Sequence, residues 1–349
     1  MEVARASEPT IRVQSIAQNS RIVPDQYLQP QEIRPGKNIK YDNGDEPPLP
    51  LINLGDGDGD VEVTRVQVDL GRACRDWGAF HVVSHGIPAK LLDEMRRVGR
   101  SFFEDLDMEE KLKYSCDPNF PASEGYGSRM LVASKDTVLD WRDYFDHHSL
   151  PLSRRNPERW PHFPPNYRKV VAEYSDHMKV LAQKILGLIS ESLGLPSSCI
   201  EESVGEFYQN ITVSYYPPCP QPELTLGLQS HSDMGAVTLL IQDDVGGLQV
   251  FKNGEWITVQ PLSHGVLVIL GDQTEIITNG KYRSCQHRAI TNSRKARLSV
   301  AAFHDPAKTR KIFPAFEPPK YREVIYGDYV KSWYTEGPEG KRNLDTLLL

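Results

Sequence analysis

From residue 210 onward the hydrophobic pattern of this chain changes, and that change narrows the fold more than any other feature. Short runs rich in β-branched and aromatic residues follow one another at 212–216, 236–242, 248–251, 256–259, 265–270 and 297–303. Turn-forming pairs separate them: Pro217-Pro218, Gly246-Gly247, Asn253-Gly254 and Asn279-Gly280. Runs of this length and spacing predict an all-β sandwich or jelly roll, which brings strands distant in sequence side by side. Upstream the pattern is mixed. Apolar residues suggest helices over 61–75 and 89–114, flanking a strand at 78–84. A second strand is expected at 139–145, and a long helix at 166–193, stopped by Gly194 and Pro196. The fold class is therefore mainly β with flanking helices.

Four segments follow. Residues 1–49 are an N-terminal extension and linker, with a short helix at 13–19 and a proline-punctuated extended stretch over 31–50. Residues 50–200 form a helical and β region, 205–305 the jelly roll, and 306–349 a C-terminal segment whose helix at 321–334 is placed to act as a lid. The Gly/Asp alternation at 55–60 reads as an acidic turn. A calcium loop beginning at Asp56 would need Glu at its twelfth position, where Gln67 stands.

The 349 residues carry a formal charge of −7 and a pI near 5.8, which argues against nucleic acid or an anionic membrane as partner. No apolar run approaches the roughly 18 residues of a bilayer span, and the N-terminus lacks the form of a signal peptide. A cytoplasmic monomer acting on a small molecule is expected. Cys74, Cys116, Cys199, Cys219 and Cys285 are odd in number and make no Cys-x-x-Cys pair, so reduced thiols are expected rather than a disulfide framework or structural zinc.

Within the β region, Gln229-Ser-His-Ser-Asp-Met234 places His231 and Asp233 two residues apart, where a strand end can aim both at one point. His287 is the best third partner. Two imidazoles and a carboxylate on one face leave open positions, as non-heme Fe(II) chemistry requires. His-x-Asp alone is a weak signal among ten histidines and 47 acids. Adjacent His147 and His148 read as surface residues. Alternation along 297–303 puts Arg297, Ser299, Ala301 and Phe303 on one face. That face is unlike a core: Arg297 and Ser299 can grip a carboxylate, and Phe303 can pack on an organic molecule.

The ordered set of His231, Asp233, His287, Arg297 and Ser299, with Tyr215-Tyr-Pro-Pro-Cys219 upstream, resembles the plant 2-oxoglutarate- and Fe(II)-dependent dioxygenases. The resemblance extends to Pro50-Leu-Ile-Asn-Leu54, Val83-Ser-His-Gly86 and Gly246-Gly-Leu-Gln249. It implies a distorted double-stranded β-helix core, with iron held by His231, Asp233 and His287. It also implies a 2-oxoglutarate clamp of Arg297 and Ser299 assisted by Tyr216, use of O₂, and ascorbate as reductant. Ser214 stands where the family commonly has Asn, and Gln286 where Glu is usual. By position-matching, Tyr144, Thr212, Met234 and Phe303 line the substrate pocket.

The jasmonate-oxidising branch is the nearest in look, but Thr212, Val330 and Tyr334 occupy the positions of its substrate arginines. The implied reaction is hydroxylation or desaturation of an apolar flavonoid, coumarin, terpenoid or alkaloid, with 2-oxoglutarate converted to succinate and CO₂. A jasmonate or other hormone hydroxylase, a zinc hydrolase using the same ligands, and a non-catalytic small-molecule binder stay open as alternatives.

Overall fold

The nine-residue strand Arg297–Asp305 is hydrogen-bonded on both sides and sits at the heart of an eight-stranded sheet. The computed structural model describes residues 12–35, 49–55, 60–117, 123–128, 138–336 and 343–349. Most of the linker expected over 31–50, most of the Gly/Asp turn at 55–60 and most of the loop over 118–137 lie outside the described residues.

In chain order the strands are β1 (Leu51–Asn53), β2 (Ala79–Val83), β3 (Gly125–Gly127), β4 (Asp143–His148), β5 (Tyr208–Tyr216), β6 (Leu228–His231), β7 (Val237–Gln242), β8 (Leu248–Lys252), β9 (Glu255–Thr258), β10 (Val266–Leu270), β11 (His287–Ala289) and β12 (Arg297–Asp305). The helices are α1 (Val13–Asn19), α2 (Asp60–Asp76), α3 (Ala89–Glu104), α4 (Met108–Leu112), α5 (Tyr167–Ser192), α6 (Cys199–Val204), α7 (Asp272–Ile277) and α8 (Tyr326–Glu336). The large sheet has the order β1-β2-β10-β7-β12-β5-β4-β3, and a smaller one the order β6-β11-β8-β9. Leu240, Leu267 and Ile269 of the large sheet pack against Leu248 and Val250 of the small one, so the two sheets face each other. This is the expected sandwich of non-sequential strands.

Period-two alternation divides the large sheet into two environments. Leu298, Val300 and Ala302 of β12, with Ile211, Val213 and Tyr215 of β5, join the same core as Leu92, Val98 and Phe102 of α3 and Val171, Met178 and Ile185 of α5. Burial of each large apolar side chain stabilises the fold by about 1.5–3 kcal/mol. Helix α3 comes close because position 99 is glycine: a Cβ there would lie 2.9 Å from Val213 Cγ1. The opposite face, carrying Arg297, Ser299 and Phe303, is turned toward the small sheet.

Several sequence expectations shift at their boundaries. The single helix expected over 89–114 breaks at Asp105–Asp107 into α3 and α4. The strand expected at 139–145 runs instead from Asp143 to His148, because cross-strand pairing with β5 selects that register. His147 is not a surface residue. It is fully buried, its Nδ1–H donates to Ile211 O (2.7 Å), and its Nε2 accepts from the Tyr167 hydroxyl (3.0 Å). Burial pushes its pKa down to about 3, so it stays neutral. All five cysteines are free. Among the described residues no helix is long and apolar enough to cross a membrane.

The N-terminal segment is tied to the sheet by one carboxylate. Fully buried Asp143 accepts the backbone N–H groups of Val13 and Gln14, each at 2.9 Å, and the Ser128 hydroxyl at 2.5 Å. It thus takes two of the unpaired donors that open α1. Val13, Val23 and Tyr27 then close over Trp141. Asp143→Ala would strand those donors, and we expect it to cost about 2–4 kcal/mol in denaturant unfolding, with new proteolytic cleavage near α1.

Candidate active site and metal centre

Strands β6 and β11 pair antiparallel with His231 directly opposite His287. Their ring centroids are 4.2 Å apart. Asp233 lies just past the end of β6, in a turn rather than on the strand. Asp272 N–H bonds to Asp233 O (2.8 Å), and the Ser232 hydroxyl to Asp272 Oδ2 (3.1 Å), which fixes that turn. Asp233 Oδ1 is 3.6 Å from His231 Nε2 and 3.7 Å from His287 Nε2. Ligand atoms of the three residues lie within 4.8 Å of one another, and this is the one such group found among the described residues.

The tautomers follow from hydrogen bonding. His231 Nδ1 faces Gln229 O at 2.8 Å, and His287 Nδ1 faces Cys285 O at 3.0 Å. A carbonyl only accepts, so each Nδ1 carries a proton and each Nε2 faces Asp233. Burial, with His231 alongside, pushes the His287 pKa down to about 4, which keeps it a neutral ligand at pH 7. Burial opposes ionisation of Asp233, but the two imidazoles outweigh it and its pKa lies below the usual carboxylate value. Asp233 Oδ2 is buried with no hydrogen-bond partner. Burial opposes protonation of His231, but the neighbouring Asp233 carboxylate outweighs it and its pKa lies above the usual imidazole value. Two imidazole nitrogens, one carboxylate and an unsatisfied oxygen fit a divalent cation, which would take the place of that proton.

The second half of the site lies on the large sheet. Register pairs Arg297 with Tyr216, Ser299 with Ser214 and Gln242, and Ala301 with Thr212 and Leu240. Arg297 is buried. It donates to Gln242 Oε1 (2.8 Å) and Ser299 Oγ (3.3 Å), and lies over the Tyr216 ring at 4.8 Å. Its Nε is buried without a partner, so the guanidinium keeps donor capacity for an anion. Burial works against the Tyr216 phenolate, yet Arg297 and Arg142 bring its pKa below the ordinary tyrosine value. Triad and Arg297 face one cavity of about 550 Å³.

Residues 207–306 match the model of the 2OG-Fe(II) oxygenase superfamily, and residues 49–166 that of the non-haem dioxygenase in morphine synthesis N-terminal region. Jasmonate-induced oxygenase 4 of Arabidopsis thaliana is 38% identical, with 98% of each chain covered. Flavanone 3-dioxygenase 2 of Oryza sativa subsp. japonica is 39% identical over 93% of this chain and 92% of its own. Among solved structures, JOX2 in complex with 2OG, Fe and JA aligns with a TM-score of 0.88 at 39% identity, covering 98% of both chains.

The chain belongs to the 2-oxoglutarate/Fe(II) oxygenase superfamily. Its fold is accordingly the double-stranded β-helix, and the cofactors of the family are Fe(II), 2-oxoglutarate and O₂.

The oxygenase cavity gathers most, but not all, of the residues expected from sequence. His231, Asp233, Met234, His287, Thr212, Ser214, Tyr216, Arg297, Ser299 and Phe303 all line it. Tyr144 does not: its hydroxyl is 3.9 Å from Cys116 Sγ, and its ring lies so close over Gly127 that a Cβ there would be 2.7 Å from Tyr144 Cζ. The ring thus extends across the neighbouring strand β3. Sequence reasoning missed Arg142, Asp146 and His148, which share Tyr144's face of β4, and Asp305, two residues beyond Phe303 on β12. Period-two counting from Tyr144 and Phe303 would have found all four. From α8 come Tyr326, Val330, Trp333 and Tyr334, so the expected lid helix is a wall of the cavity. Tyr329 of the same helix donates to Asp272 Oδ2 (2.5 Å), linking α8 to the turn that carries Asp233.

Asp146 accepts the Thr212 hydroxyl (2.8 Å), and burial pushes its pKa up to about 7. A free carboxyl titrates near 4. Between these values the folded chain holds a proton that the unfolded chain has lost, so stability falls as pH rises through this window. Asp146→Asn should flatten that slope and raise stability at pH 7.5 by about 1–2 kcal/mol in denaturant titrations. For the triad, Co(II) or Fe(II) at about 100 times its Kd should stabilise the wild type by about 2.7 kcal/mol. His287→Ala should abolish that metal-dependent shift, and chelator should reverse it.

Proposed function

We propose that this dioxygenase hydroxylates or desaturates a small, largely apolar specialised metabolite of the flavonoid, coumarin, terpenoid or alkaloid kind. The observation that carries this reading is the lining of the cavity around Thr212. Thr212, Val330 and Tyr334 occupy positions where the resemblance to jasmonate oxidation calls for arginines, and Leu240, Ala301, Met234, Phe303 and Trp333 surround them. Two of the other cavity-lining guanidiniums are engaged. Arg154 donates to Asn210 Oδ1 (2.8 Å), and Arg288 donates to Gln249 Oε1 (2.9 Å) and lies over Trp256.

In this reading His231, Asp233 and His287 hold the iron, and Arg297, Ser299, Tyr216 and Ser214 hold 2-oxoglutarate. Bound together, these cofactors supply the oxidising power that removes hydrogen from the substrate, with succinate and CO₂ as co-products. The chain positions and shields. Arg297, held by Gln242, presents fixed donors to the distal carboxylate. Phe303 and Met234 offer apolar contact beside the metal site, and α8 walls the cavity from solvent. We place the enzyme in the cytoplasm as a monomer, with 205–305 as the catalytic unit; the free thiols accord with a reducing compartment.

A second reading, hydroxylation of jasmonate, is favoured by the likeness to JOX2 along nearly the whole chain. The two separate in one assay. Iron-loaded protein with 2-oxoglutarate is exposed to O₂ with each scaffold class and with jasmonate, and succinate and product mass are measured. We expect succinate to rise with one of the apolar scaffolds, accompanied by gain of one oxygen or loss of two hydrogens. Turnover with jasmonate alone would replace the first reading by the second.

A further inference from the structure

Among the charged residues of the cavity, Arg142 is a buried cation to which the proposed function gives no role. Arg142, immediately before β4, is 4% exposed and lines the cavity. Nη1 donates to Ser214 Oγ at 3.3 Å, the guanidinium lies 5.4 Å over the Tyr144 ring, and Nε is buried with no hydrogen-bond partner. No carboxylate among the described residues lies within ion-pair distance of it. Asp140 and Asp146 are the acids whose charge it influences, but Asp140 Oδ1 accepts Gln229 N–H and Asp146 Oδ1 accepts Thr212. A buried guanidinium with unused donors and no counter-ion is costly unless an anion completes it.

The position of Arg142 says which anion. Ser214, which it touches, is directly opposite Ser299 in the sheet, and Tyr216 is directly opposite Arg297. Arg142 and Arg297 both act on the Tyr216 hydroxyl, from either side of β5. The two guanidiniums therefore bracket one polar patch made of Tyr216, Ser214 and Ser299.

We propose that Arg142 is a second cationic contact for the distal carboxylate of 2-oxoglutarate, reaching it from β4 beside Ser214 while Arg297 holds it from β12. The proposal rests on the assignment of Arg297 and Ser299 to that co-substrate. Arg142 thereby sets co-substrate affinity and discriminates against keto acids lacking the second carboxylate.

The test measures binding rather than turnover. The Mn(II)-loaded full-length protein is titrated calorimetrically with 2-oxoglutarate and with 2-oxobutyrate, which keeps the keto-acid end but has no distal carboxylate. Arg142→Met should weaken 2-oxoglutarate about tenfold and leave 2-oxobutyrate within about twofold. Arg142→Lys, which restores charge without the planar fork, should recover part of the loss and guards against misfolding of the methionine variant, itself followed by circular dichroism. Unchanged 2-oxoglutarate affinity in both variants overturns the proposal, as does equal weakening of both keto acids, which would make Arg142 a structural support of the metal end. Failure of the wild type to bind 2-oxoglutarate would instead remove the parent assignment.

Discussion

The double pairing of β12 is the constraint on which the rest of the structure depends. Its flanking partners, β5 and β7, fix its register along its length. A slip of one residue would send Arg297, Ser299 and Phe303 into the helices and Leu298, Val300 and Ala302 into the cavity. The apolar contact of the latter three with α3 and α5 forbids that. Placement of the polar residues is therefore a by-product of burying the apolar ones: the core selects the register, and the register builds the site.

The site is further held by polar links that reach back into the helical layer. Arg100 of α3 bridges to Asp243 (2.8 Å), whose carboxylate also accepts the Leu298 N–H at 2.6 Å and the Val245 N–H at 3.1 Å. That clip steadies the end of β12 from which Arg297 projects. Beside the metal triad, the chain near Asp233 and Gly235 packs directly against α7. Gly271 allows it, since a Cβ there would lie 2.2 Å from Gly235 O. Through Tyr329 and Asp272 the same turn is tied to α8. The His231–Asp233–His287 triad, the Arg297 face and the cavity wall are thus joined by short hydrogen-bonded paths.

Much of this was legible without coordinates because it rests on local periodicity. Strand alternation at 297–303 separated a pocket face from a core face, and the helical spacing over 166–193 located α5 nearly to its ends. Where expectation failed, tertiary packing had overruled local pattern. Adjacent polar histidines looked exposed at 147–148, yet the sheet buries His147 against Tyr167 and turns His148 into the cavity. Tyr144 has the alternation of a pocket residue, but its ring lies over Gly127 of β3, and a cross-strand contact of that kind leaves no trace in the residue itself.

By itself the sequence determined the chemistry available: a His-x-Asp pair, a distant His and an Arg-x-Ser pair on strands, all within reach of one family resemblance. Only the tertiary structure decided the protonation and the surroundings. The Nδ1 hydrogen bonds to Gln229 O and Cys285 O, which aim the Nε2 atoms, depend on backbone carbonyls whose direction no side-chain pattern encodes. Likewise the place of Arg142 beside Ser214, with no carboxylate among the described residues at ion-pair distance, is a property of the folded chain alone.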